Sequence, residues 1–150
     1  MKRFLTFILV ISLVFSLPLF ASATQNTNED IIYMDDGSYI IVTIDSMDTR
    51  ASGSKTGSKS YNFYSSNDEL EWKAVLSGTF TYNGTSATCT SSSCNITVYQ
   101  NNWYEISKTA TRSGNTAYAT FTMGRKVLGI TVSKKDYSLT LSCDANGILS

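Results

Sequence analysis

The sequence predicts an all-β protein: an antiparallel β-sandwich of about seven to nine short strands, with a small closed β-barrel as the alternative. Apolar and polar residues alternate along one long run, where Leu70, Trp72, Leu76 and Phe80 share a face opposite Glu69, Glu71, Lys73 and Thr79. Turn dipeptides recur between β-rich runs, at Asp36-Gly37, Asn83-Gly84, Asn101-Asn102, Gly114-Asn115 and Asn146-Gly147. No segment after residue 23 carries an apolar stripe at helical spacing. Its many Thr, Tyr, Val and Ile residues favour pleated surfaces, and its Ser and Asn compete with a helical backbone.

The chain opens with Lys2 and Arg3, an apolar run from Phe4 to Phe20, and Ala21-Ser22-Ala23. This is the pattern of a cleaved signal peptide over residues 1–23. The run is at the short end of the spanning range and ends at Pro18 and the cleavage site, so export is expected rather than anchoring. No Cys follows it, which disfavours a lipoprotein. Cleavage leaves 127 of 150 residues, and 12 basic against 12 acidic residues become 10 against 12. A secreted, extracellular protein with no membrane span after cleavage is expected. The remaining chain has no His and no Pro. No imidazole is available as base, ligand or pH switch, and no basic excess exists to hold nucleic acid. Charged residues make up 16%, well below the typical quarter, so Ser and Thr must carry solubility.

Residues 24–30 read as a polar leader. Residues 31–44 form a β-hairpin; with Asp36-Gly37 as a two-residue tip, Tyr33 faces Ile40 and Ile31 faces Val42. Residues 45–60 are Ser, Thr, Lys and Gly without a period, and read as a flexible linker or loop. Residues 61–150 form the main β domain. Its long strand from Glu69 carries a bend or bulge at Gly78. A tip at Asn83-Gly84 pairs Phe80 with Ala87 and Gly78 with Cys89, pointing Cys89 inward.

After a break over Thr90–Ser93, Cys94, Ile96 and Val98 share a face. Beyond Asn101-Asn102, Tyr104, Ile106 and Ala110 line the core side. A two-residue turn at Gly114-Asn115 pairs Ala110 with Ala119 and Ile106 with Met123. Ala117, Ala119, Phe121 and Met123 are independently the apolar face of their strand, so turn and pattern agree on register. The last strand places Tyr137, Leu139, Leu141 and Cys143 inward.

Three cysteines in an exported chain leave one unpaired. Cys89–Cys94, Cys89–Cys143 and Cys94–Cys143 are all open, because parity turns all three inward. A bridge to Cys143 closes the longer loop and stabilises more, by about 4 kcal/mol in the chain-entropy model. Cys89–Cys143 is the preferred pairing, with Cys89–Cys94 or no bridge as the alternatives.

No constellation announces catalysis. Glu69 and Glu71 share a strand face about 6.5–7 Å apart, a spacing used in glycoside hydrolysis and equally given by any solvated strand. Asp35 and Asp36 could ligate Ca²⁺, but their simpler role is to make a turn, and the rest of a calcium loop is missing. There is no nucleophile elbow and no Ser–His pair. No cofactor or metal is expected. Trp72 falls on the core face. Trp103, Tyr99 and Tyr118 oppose the core parity and are expected at the surface, as candidate binding residues that stack on sugars or anchor a protein. Ordinary cross-strand packing would use the same residues. The expected function is a secreted non-enzymatic β domain binding an extracellular glycan or protein. The alternative is a secreted effector or bacteriocin-like antimicrobial protein, although the cationic amphipathic helix of membrane-active peptides is missing.

Four segments carry a resemblance: Asp36-Gly37-Ser38-Tyr39, the Trp72 strand through Gly78-Thr79-Phe80-Thr81-Tyr82-Asn83-Gly84, Ser113-Gly114-Asn115-Thr116-Ala117, and Leu139-Thr140-Leu141-Ser142-Cys143. Over nearly all of the chain after residue 23, the sequence resembles an uncharacterised family of small secreted all-β proteins of Gram-positive bacteria. The resemblance implies an extracellular bacterial protein. The family has no established activity, so no functional residue is carried over. It has cysteines matching Cys89 and Cys143, while Cys94 departs from its pattern; this supports the preferred pairing.

Overall fold

The computed structural model describes residues 28–47 and 53–150. The signal expected over 1–23 lies outside them, as do residues 24–27 of the leader and 48–52 of the expected linker. The described residues form eight antiparallel strands and no helix: β1 (Asn28–Tyr33), β2 (Tyr39–Met47), β3 (Ser54–Tyr64), β4 (Leu70–Tyr82), β5 (Ala87–Val98), β6 (Trp103–Ser113), β7 (Thr116–Val127) and β8 (Ile130–Ser142). One sheet has the order β1-β2-β3-β4-β5, the other β6-β7-β8, and neither closes into a barrel. The fold is a β-sandwich. Among the described residues, no helix is long and apolar enough to cross a membrane.

The first hairpin forms, but its turn shifts the register by one. Gly37, at φ 79°, closes a three-residue loop in which Met34 N donates to Ser38 O and Gly37 N to Met34 O. This is a type I turn with a G1 bulge rather than the two-residue turn expected. Tyr33 therefore pairs with Tyr39 and Ile32 with Ile40. A slip of one residue exchanges strand faces. Ile32 now shares its face with the buried Ile40, yet Ile31, Ile32 and Tyr33 all stay exposed on this edge strand.

Among its described residues, the linker expected over 45–60 is strand rather than loop at all but Gly53. Residues 45–47 continue β2, and Ser54–Ser60 belong to β3, a strand paired on both sides. Residues 28–30 of the expected leader likewise lie in β1. Small polar side chains suit β3 because it is held by two backbone ladders and by hydroxyl pairs such as Thr43–Ser60 and Thr56–Thr79. Gly57 leaves room for Leu149 from the chain terminus, since a Cβ there would lie 2.1 Å from Leu149 Cδ1. The alternation that marks a half-buried strand is lost, because the buried positions are Gly57, Ser60 and Phe63.

β4 follows the sequence pattern, with Trp72, Ala74, Leu76, Gly78 and Phe80 buried. The β4–β5 turn is longer than expected. Asn83 Oδ1 accepts from the backbone N–H of Thr85 and Ser86, so Tyr82 pairs with Ala87 and Phe80 with Cys89. The shift is two residues, which preserves the face, and Cys89 is buried. The break expected over Thr90–Ser93 is absent; Thr90 is a bulge within one continuous β5. Ala110 pairs with Ala119, as expected. The core joins β4, with Trp72 at its centre, to Ala119, Phe121 and Met123 of β7 and Leu139 and Leu141 of β8.

Candidate functional site

Two bulges build the site. In β4, Leu70 pairs with Tyr64 and Trp72 with Phe63, leaving Glu71 as an extra residue. A bulge bends its strand and re-aims a side chain. Glu71, expected on the solvated face, is buried at 7% exposure. Its carbonyl accepts from Tyr99 N at 2.9 Å and Gln100 N at 3.3 Å. In β6, Glu105 pairs with Met123 and Ser107 with Thr122, so Ile106 is the extra residue. Beyond it the core side passes from Tyr104 to Trp103, which pairs with Arg125. Trp103, expected at the surface, is instead buried; Ile106, expected in the core, is exposed. The Trp103 indole Nε1 donates to Glu71 Oε2 at 2.6 Å.

These residues face a cavity of about 330 Å³ lined from both sheets by Phe63, Glu71, Trp103, Arg125 and Tyr137, together with Asp36, Ser38 and Lys135. Its floor is aromatic. Trp72 stacks on Phe63 with centroids 5.0 Å apart, and meets Tyr137 at 4.9 Å and Trp103 at 6.3 Å edge-on. The Arg125 guanidinium lies 5.9 Å from the centre of the Trp103 ring. The Tyr137 hydroxyl is buried and has no hydrogen-bond partner. Burial pushes its phenol well above the ordinary value, and the Asp36 and Glu71 carboxylates add to the effect. It is a neutral donor at any physiological pH. Hydrogen bonds from the Ser38 hydroxyl and N–H hold the Asp36 carboxyl below its ordinary range. The cavity wall thus brings together the Tyr137 phenol, two carboxylates, cations and ring faces.

The three aromatic candidates do not converge. Trp103 lines the cavity, Tyr99 is exposed just past the end of β5, and Tyr118 stands on the outer side of β7. Glu69 is exposed and does not line this cavity, although it borders a second, more open one with Glu71, Gln100, Asn101 and Asn102. Asp35 and Asp36 serve the first turn, and among the described residues no group of three metal-ligating side chains forms.

The cysteines are free thiols, with Cys89 and Cys143 buried and Cys94 partly so. Cys89 and Cys143 flank one turn: Cys89 N donates to Gly114 O at 2.8 Å, and Cys143 N to Asn115 O at 3.0 Å. Burial raises all three thiols, and Cys89 lies close enough to raise Cys143 further. Cys94 instead senses Lys108 and Glu105.

No protein-family model matches the chain, and no curated protein matches it. A solved structure similar to it is that of a hypothetical protein from Listeria monocytogenes EGD-e, with a TM-score of 0.47 and 15% identity, covering 79% of this chain and 88% of that one.

Proposed function

We propose that the protein is a secreted, non-enzymatic binding domain whose cavity takes an uncharged, hydroxyl-rich ligand, a sugar unit of an extracellular glycan. The observation that carries this reading is the Tyr137 hydroxyl, buried on the cavity wall without a partner. An unpaired buried hydroxyl costs about 1–3 kcal/mol, which a ligand hydroxyl can recover. Carboxylates at Glu71 and Asp36 accept from sugar hydroxyls, and the rings of Phe63, Trp103 and Tyr137 suit the apolar faces of a pyranose. The cavity volume lies at the lower end of small-ligand sites, which favours one or two sugar units. The signal-peptide pattern over residues 1–23 supports export, and an oxidising exterior would join Cys89 to Cys143.

Calorimetric titration with soluble cell-wall oligosaccharides tests the reading. Binding is expected to weaken about tenfold in Tyr137→Phe, which removes one buried hydrogen bond and leaves the fold intact. Equal binding by the wild type and Tyr137→Phe, or no binding to any oligosaccharide, would overturn it.

A further inference from the structure

The tip joining β7 to β8 has no explanation in the fold. Val127, Leu128, Ile130 and Val132 are exposed at 51%, 98%, 70% and 56%. β6 begins at Trp103, and it supports this hairpin last at the Lys126–Thr131 level, where Lys126 N donates to Asn102 O, the Tyr104 hydroxyl pairs with that of Thr131 at 2.8 Å and the Lys126 ammonium lies 4.4 Å from the centre of the Tyr104 ring. The tip between Lys126 and Thr131 therefore projects as a two-stranded finger. Its turn residue Leu128 has φ 50°, in the left-handed region that disfavours bulky side chains. A Leu-Gly tip stands where Asn-Gly would serve the turn better. An apolar side chain held in an unfavourable conformation and touching nothing points to a contact outside the molecule.

Charge says what that contact is. From Arg125 to Lys135 there are four basic residues (Arg125, Lys126, Lys134, Lys135) and no acidic one, in a chain with no net charge. Two lie on each arm, behind the apolar tip; Arg125, Lys134 and Lys135 also border the cavity. A stable protein interface takes about 20–30 residues a side. The nine residues from Lys126 to Lys134 are too few for one. An apolar tip collared by cations suits a membrane surface, where apolar side chains enter the headgroup boundary and Lys and Arg meet anionic lipid. We propose that the β7–β8 tip docks the protein peripherally on an anionic lipid bilayer.

The test compares the full chain with Leu128→Asn, which is expected to fold at least as well. Sedimentation with phosphatidylglycerol vesicles is expected to fall about tenfold or more in Leu128→Asn, since an inserted leucine is lost. Lys126→Gln and Lys134→Gln should each weaken it about fivefold, and added salt should do the same. Residues 1–23 are common to all variants. To isolate the tip, Leu128→Trp is mixed with vesicles containing brominated phosphatidylglycerol, and quenching of the new indole is expected. Unquenched Leu128→Trp fluorescence, equal sedimentation of wild type and Leu128→Asn, or equal affinity for phosphatidylcholine vesicles would overturn the proposal. So would binding to soluble polyphosphate without binding to vesicles, which would mark a phosphate site rather than a membrane contact.

Discussion

The indole of Trp103 and the carboxylate of Glu71, 32 positions apart in sequence, are joined across the two sheets by a 2.6 Å hydrogen bond. Each residue reaches the interior through a bulge in its own neighbourhood of the sheet. Charge-assisted bonds of this kind are worth about 1.5–3 kcal/mol, and removing one partner strands the other. Trp103→Phe should therefore destabilise the protein by about 2–3 kcal/mol in urea unfolding. Glu71→Gln keeps an acceptor and should cost less, about 1 kcal/mol. The reverse order of severity would mean that the pair does not anchor the site.

Non-reduced peptide mapping of the exported protein should recover Cys89 linked to Cys143, with Cys94 free. The two buried cysteines bracket the Gly114-Asn115 turn, while Cys94 lies among the Lys108 and Glu105 charges. The bridge should stabilise by about 4 kcal/mol, read as the drop in unfolding free energy on reduction. A linked peptide containing Cys94 would refute the pairing.

In the reduced protein, burial raises Cys89, Cys94, Cys143 and Tyr137 above their ordinary values. The folded state then keeps these protons to higher pH than the unfolded chain. Stability is unaffected by them below the unfolded thiol pKa of about 8.5 and declines as pH rises above it. Urea midpoints at successive pH values in the presence of reductant check this. A midpoint that rises through the same range would contradict the assigned cause.

Gly78 and Leu128 should respond in opposite ways to substitution. A Cβ at Gly78 would lie 2.7 Å from the Phe80 ring and 3.3 Å from Ala117 Cβ. Gly78→Ala overpacks the core and should cost about 1–3 kcal/mol. Leu128→Asn relieves a left-handed leucine and should stabilise by about 1 kcal/mol. Thermal melts of the two variants read both signs; a destabilised Leu128→Asn would mean that the leucine serves the fold.

Much of the fold was legible in the residues. Period-2 alternation marked β4 and β7, and the agreement between the Gly114-Asn115 turn and the apolar face of β7 fixed the Ala110–Ala119 register. The all-β class followed from the absence of any helical stripe. β3 was hidden, because a strand held by ladders on both sides needs no apolar alternation.

By itself, then, the sequence determined the class, the central strand, the inward cysteine at Cys89 and the aromatic core around Trp72. Local periodicity and turn chemistry act over a few residues and are written there directly. The site was decided by tertiary structure alone. One inserted residue at Glu71 and another at Ile106 reverse the side on which the neighbouring chain faces, and no composition or spacing marks a bulge. Strand parity put Trp103 at the surface and Glu71, separately, on the wet face of β4 with Glu69 and Lys73; pairing between strands put both indoors, facing each other.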